Sequence, residues 1–167
     1  MAESKPPPAG YVPYAPTPTY GRGLIEDISA ELRAAPLICT QPEPWALVSS
    51  AFPVAAVVHY VKDMSHEAVR ARCDEWKNGP PPSAVFGIGG GSSMDHAKFA
   101  ARVLEVPLIL VPSILSVDAA YTVAAGVREV QPKGAVSVVY VGDTRPTSLL
   151  IDYSIIQAAP KALNWAG

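Results

Sequence analysis

From Gly23 onward the apolar positions Leu24, Ile25, Ile28 and Leu32 recur at helical spacing until Pro36, which predicts a first amphipathic helix. Two short apolar runs follow, residues 36–40 and 54–60, each rich enough in branched side chains to form a buried strand. Pro42 and Pro44 keep regular sheet out of the stretch between them. Ser65 is placed to cap a second helix, with Glu67 in its first turn and Val69, Cys73 and Trp76 along one face up to Gly79. Residues 84–88 form another apolar run that leads directly into Gly89-Gly90-Gly91, after which Met94, Ala97, Ala101 and Leu104 mark the inner face of a third helix. Residues 106–111 read as a strand closed by Pro112, and a loop of small residues continues from Ser113 to Asp118. Residues 123–129 and 135–141 flank Gln131-Pro132-Lys133-Gly134 as a hairpin, and residues 149–152 read as a last strand. Strand alternating with helix predicts an α/β fold: a Rossmann-like parallel sheet with helices on both faces, plus a β-hairpin.

Composition adds an arm and removes several classes of partner. Residues 1–20 hold Pro6, Pro7, Pro8, Pro13, Pro16 and Pro18, a spacing that favours extended chain, so we read 1–20 as a proline-rich arm and 21–167 as the folded domain. A chain of 167 residues, 49% hydrophobic, suffices for one packed core and is short for two of ordinary size. A formal net charge of -2 offers no basic field, which argues against nucleic acid or an anionic membrane as the main partner. The amino terminus lacks the apolar stretch of a secretory signal and no apolar run reaches spanning length, which makes the cytoplasm the expected compartment. Cys39 and Cys73 match no zinc or redox spacing and are expected as reduced, buried thiols.

The segment that carries chemistry is Gly87-Ile88-Gly89-Gly90-Gly91-Ser92-Ser93-Met94-Asp95-His96-Ala97-Lys98, set where a strand gives way to a helix. Glycine lets the backbone approach a bound group without a Cβ in the way, and the free amides and positive end of the following helix attract a diphosphate. Two readings stay open for the loop, an anion cradle or a turn that is glycine-rich for steric reasons alone. Ser92 and Asp95 also fit a capping box that needs no ligand. Ser113 and Ser116 fit a ligand loop at the carboxyl end of a buried strand or a turn satisfied by its own hydroxyls. Asp118 is equally placed to be an N-cap, and Lys98 reads as a solvated or structural lysine.

Gly89-Gly90-Gly91-Ser92 with Asp95, Ala97 and Lys98, followed by Val111-Pro112-Ser113 with Ser116, Asp118 and Ala119, resembles the iron-containing alcohol dehydrogenase and glycerol dehydrogenase family. Gly21-Arg22-Gly23 before the first helix, and Ile151-Asp152, Ala159-Pro160 and Leu163-Asn164 near the carboxyl end, agree with it, so the similarity runs over about residues 20–167. The resemblance implies NAD or NADP with its diphosphate over Gly89, Gly90, Gly91 and Ser92, and Ser113 and Ser116 near the nicotinamide and its ribose. It implies that Asp118 orients a small alcohol or polyol substrate, glycerol or a glycerol phosphate among them. It also implies a divalent metal, Fe or Zn, held by a helical domain beyond this chain, so no metal ligand is expected here.

The sequence departs from the family pattern at Thr40-Gln41, where many relatives place an aspartate on the adenosine ribose, and NAD and NADP both remain open. His59, His66 and His96 match none of the family's metal positions and are read as non-ligands. The chain is expected to be inactive alone and to oligomerise or dissolve poorly, because a lone half of a two-domain enzyme exposes its apolar cleft wall. The competing readings are a non-catalytic nucleotide-binding or interaction module and a lyase akin to dehydroquinate synthase.

Overall fold

Leu37-Ile38-Cys39-Thr40, Val85–Gly89 and Leu108–Pro112 are buried at every position, as strands covered by helices on both faces must be. They belong to a six-stranded, wholly parallel sheet in the computed structural model, which describes residues 17–52, 55–115, 118–130, 134 and 136–164. The strands in chain order are β1 (Thr19–Gly21), β2 (Leu37–Thr40), β3 (Val57–Tyr60), β4 (Val85–Gly89) and β5 (Leu108–Pro112). A separate antiparallel hairpin, β6 (Ala125–Val130) and β7 (Val136–Val141), precedes β8 (Ser148–Asp152). The sheet order is β1-β8-β5-β4-β2-β3.

Period-two alternation divides the interior. Leu37, Cys39, Val85, Leu108, Leu110, Leu149 and Ile151 face one core, which α3 (His66–Lys77) and α4 (Gly91–Leu104) close with Val69, Cys73, Met94, Ala97 and Ala101. Ile38, Phe86, Ile88, Ile109, Val111 and Leu150 face the other, beneath α1 (Leu24–Ala30), α2 (Pro42–Val48) and α5 (Tyr153–Ala158), followed by the short α6 (Lys161–Asn164). Ser65 caps α3 as its position suggested, its hydroxyl accepting from Ala68 N at 3.3 Å. Asp152 caps α5 through Ser154 N at 2.9 Å and reaches back to Leu24 N at 2.8 Å, which ties the start of α1 to the end of β8. Both cysteines are buried free thiols, and burial pushes the Cys73 thiol up to about 12 and the Cys39 thiol higher still.

One segment keeps out of the sheet as read but is more regular than expected, and another differs from the sequence reading. The stretch around Pro42 and Pro44 is helical: Pro42 opens α2 where its missing N–H costs no hydrogen bond, and Gln41 before it is extended. Thr19 and Tyr20, inside the stretch read as an arm, join the sheet through β1, paired with Leu150 and Ile151 of β8. Residues 1–16 of that arm, and Val54 at the start of the second apolar run, lie outside the described residues. Among the described residues no helix is long and apolar enough to cross a membrane.

β2 and β4 are neighbours from which the chain departs in opposite directions, β2 to β3 on one side and β4 to β5 on the other. Such a switch point opens a crevice at the carboxyl ends of the strands. The glycine loop sits there, and Gly87 decides how closely α4 approaches it. A Cβ on Gly87 would lie 2.8 Å from Ala97 Cβ, 2.9 Å from Leu110 Cδ2 and 3.1 Å from Met94 Cα. Gly87→Ala is therefore expected to destabilise the chain by about 1–3 kcal/mol through overpacking. Thermal melting checks this, each kcal/mol corresponding to roughly 2–4 °C at this size.

Candidate functional site

β4 ends at Gly89 with φ of +142°, a conformation that side chains rarely adopt, and a Cβ there would meet Ser93 Oγ at 2.8 Å. Gly90 follows in extended conformation as the N-cap of α4, and no side chain caps this helix. The Ser92-to-Asp95 capping box does not form; Asp95 turns instead to Lys98 and to the backbone N–H of Gly126. The amides at the start of a 14-residue helix are thus left facing the crevice. Around Gly90 and Gly91 there is room: an added Cβ would find nothing nearer than Ile114 Cδ1 at 3.6 Å and Ala119 Cβ at 3.9 Å. Ser113 N donates to Gly89 O at 2.9 Å and fastens the loop after β5 to the glycine turn.

Cavities open on either side of this turn. One, of about 580 Å³, is lined by Gln41, Pro44, Leu47, Gly90, Ser113, Ile114 and Leu163. The other, of about 410 Å³, is lined by Gly91, Ser92, Asp95, Asp118, Thr122, Gly126, Arg128, Val138 and Tyr140. The structure therefore groups Gly91 and Ser92 with Asp118, and Gly90 with Ser113. Ser113 stands on the Gln41 side, apart from Asp118, and Ser116 lies outside the described residues. Asp118 begins a single 3-10 turn, Asp118–Tyr121, and its side chain is exposed. Gln41 is held in place by its Nε2, which donates to Val61 O at 2.6 Å.

The hairpin wall of the second cavity was not foreseen as part of a site. β6 and β7 place Arg128 opposite Val138 and Gly126 opposite Tyr140 on one face, where Val130, Val136, Val138 and Tyr140 are exposed. A signal was present. A hairpin covering a core on one face and meeting water on the other alternates apolar with polar, whereas this pair carries apolar residues on both faces.

Behind that wall lies Lys98, fully buried at 0% exposure and therefore not a solvated lysine. Its ammonium donates to Asp95 Oδ1 at 3.2 Å, Thr122 Oγ1 at 3.1 Å and Ala124 O at 3.1 Å. Burial pushes the Lys98 ammonium below the ordinary lysine value, with Asp95 pulling it back. Burial likewise raises the Asp95 carboxyl, against the pull of Lys98 and the Gly126 N–H.

The sequence model of the family described as iron-containing alcohol dehydrogenase matches residues 47–160, which include the glycine turn, Asp118 and the hairpin. The chain belongs to this family. A glycerol-1-phosphate dehydrogenase of Halorubrum lacusprofundi is 30% identical over 165 residues, covering 88% of this chain and 43% of its own length. A glycerol dehydrogenase of Pseudomonas putida is 34% identical over 95 residues, covering 51% of this chain and 23% of its own. The chain thus spans less than half the length of these relatives. Among solved structures, glycerol dehydrogenase from Schizosaccharomyces pombe superposes with a TM-score of 0.70 at 18% identity, over 91% of this chain and 41% of that one. A sulfoacetaldehyde reductase from Bifidobacterium kashiwanohense superposes with a TM-score of 0.67 at 17% identity, over 90% of this chain and 48% of that one. These likenesses establish the fold.

For the metal of the iron-containing dehydrogenases, the described residues do not fit: no group of three or more His, Cys, Asp or Glu side chains is arranged to hold an ion. Two of the histidines nonetheless come together. The rings of His59 and His96 lie 4.7 Å apart, with Trp76 edge-on to His59 at 5.1 Å. His66 stands elsewhere, its Nδ1 3.1 Å from Glu129 Oε1. His96 is 2% exposed and neither ring nitrogen has a hydrogen-bond partner. Burial, then the neighbouring His59 and Arg72, lower its pKa from 6.5 to about 4.

An imidazole that stays neutral in the fold while its unfolded counterpart protonates gives the unfolded state more bound protons between about pH 6.5 and 4. Stability is present above that window and falls as pH drops through it, by roughly 2–3 kcal/mol for a shift of this size. His96→Phe should flatten this acid dependence, which urea melts at pH 7, 6, 5 and 4.5 would read.

Proposed function

We propose that the chain forms the nicotinamide-dinucleotide-binding part of a metal-dependent alcohol or polyol dehydrogenase, with glycerol and glycerol phosphate within its substrate range. The observation that carries the reading is the open glycine cradle at the uncapped start of α4, set at the sheet's switch point with a cavity on each side. Support comes from relatives named glycerol dehydrogenase and NAD(P)+ glycerol-1-phosphate dehydrogenase, and from a fold neighbour solved with NAD+.

Gly89, Gly90, Gly91 and Ser92 hold the diphosphate, whose charge meets backbone amides and the helix end. Gln41 borders the space for the adenosine half, and Ser113, expected from the resemblance beside the nicotinamide, is reassigned to that side because it lines the same cavity. Asp118 receives the substrate hydroxyl in the opposite cavity, and Ser116, which lies outside the described residues, is retained from the family resemblance as a candidate for the nicotinamide ribose. When bound, the nicotinamide would accept hydride from an alcohol carbon or, in reverse, donate it to the corresponding carbonyl carbon. Gln41, being neutral, does not repel a 2′-phosphate, while Glu43 brings a carboxylate to the same cavity, so NAD and NADP are both kept in the reading. Residues 21–167, with Thr19 and Tyr20 added as part of β1, are read as the nucleotide-binding domain and the residues before them as a proline-rich arm; the metal, Fe or Zn by the family resemblance, takes no part in any step assigned to this chain.

Gly90 has φ of -89°, and a Cβ there makes only ordinary contact with Ile114 Cδ1 at 3.6 Å, so Gly90→Val should fold and obstruct the diphosphate. Fluorescence titration of NADH and NADPH into the purified chain is expected to show saturable binding of at least one. In the Gly90→Val chain that binding should weaken at least tenfold while the melting temperature stays within about 2 °C. Absence of binding of either cofactor to the unaltered chain would overturn the reading.

A further inference from the structure

The walls of the 410 Å³ cavity come from separate elements, α4 with Asp95, the turn before β6 with Thr122 and Ala124, and β6 itself with Gly126. Thr122 and Ala124 lie outside any helix or strand, so no regular hydrogen-bond ladder holds them to α4. Beyond the packing of Ala120 and Val127 in the core beside α4, the polar tie between them is Lys98. It lines neither cavity, and each of its ammonium hydrogens has an acceptor: Asp95 Oδ1 on its own helix, and Thr122 Oγ1 and Ala124 O on the turn. Asp95 then passes the connection on by accepting from Gly126 N–H. Gly126 is close to Asp95 for this reason, since a Cβ on it would stand 3.0 Å from Asp95 Oδ2.

We propose that Lys98 is a positioning residue that sets the opening between the start of α4 and the hairpin, and so governs the nicotinamide and substrate side of the cleft while leaving the adenosine side untouched. The proposal rests on the cofactor reading above for its ligand. Its physical content is asymmetry. The cavity beside Gln41 and Ser113 is walled by α2, the loop after β5, the segment from α5 to α6 and Gly90 at the start of α4, and no hydrogen bond of Lys98 reaches any of them. Loss of the ammonium frees residues 122–126 to move off α4, which widens one cavity and not the other. A lysine that merely filled the core would, on removal, weaken both halves together.

The test uses the 167-residue chain, with Lys98→Met and the double variant Asp95→Asn/Lys98→Met, which leaves no unpaired buried charge and guards against simple unfolding. NADH probes both cavities, and ADP probes the adenosine side and the glycine cradle alone. In both variants the NADH dissociation constant should rise at least tenfold while that of ADP changes less than twofold. Amide hydrogen exchange of residues 122–130, without ligand, should quicken at least tenfold relative to α3. Equal weakening of NADH and ADP, or recovery of NADH affinity in the double variant, would overturn the positioning role. Exchange at 122–130 that rises no more than in α3 would overturn it whatever the cofactor does. If the unaltered chain binds neither NADH nor ADP, the cofactor reading fails by itself, and the exchange measurement still decides whether Lys98 holds the wall.

Discussion

A methyl group at Gly87 would stand within 3.1 Å of Ala97 Cβ, Leu110 Cδ2 and Met94 Cα, and this close contact sets the geometry of the cleft. Because β4 carries no side chain at that point, α4 lies directly against the strand that precedes it. The chain must then turn from Gly89 into the helix within Gly90, and the backbone there is left bare. Space around Gly90 and Gly91, uncapped amides at the start of α4 and the two flanking cavities all follow from a helix that begins as soon as its strand ends.

The side of the cleft that carries Asp118 depends on a second contact of a different kind. The hairpin is no part of the parallel sheet and meets it mainly through α4 and α3. Val127 packs it into the core, Arg128 N donates to Met64 O at 2.7 Å, and Lys98 fixes the turn that leads into it. A buried ammonium is costly unless every hydrogen is used and a carboxylate stands beside it, and both conditions hold here. The exposed face of the same hairpin, with Val136, Val138 and Tyr140, is apolar where a surface hairpin would be polar, in keeping with a wall that a ligand or a further part of the protein covers.

Two polar features in the interior have opposite standing. Lys98 is buried and satisfied. His96, two residues earlier on α4, is buried with both nitrogens unpartnered, beside His59 and Trp76. The helix that presents the glycine cradle at one end therefore carries, on two different buried sides, one residue that fastens the cleft wall and one whose neutrality the core requires.

The sequence by itself determined the parallel α/β framework and the position of the glycine turn, because buried strands, amphipathic helices and a strand-glycine-helix junction are local patterns with a fixed physical meaning. Its succession of motifs also identified the family, which the match over residues 47–160 bears out. Less local features were beyond it. Helix α2 hides behind prolines that break a helix anywhere except its first turn. β1 is three residues long, and its pairing with β8, 131 positions away, leaves no periodicity to read. The separation of Ser113 from Asp118, the meeting of His59 with His96 and the triple engagement of Lys98 are contacts between elements distant in the chain. Only the tertiary structure decides them, since spacing along one segment says which residues share a face but not which face of another segment they meet.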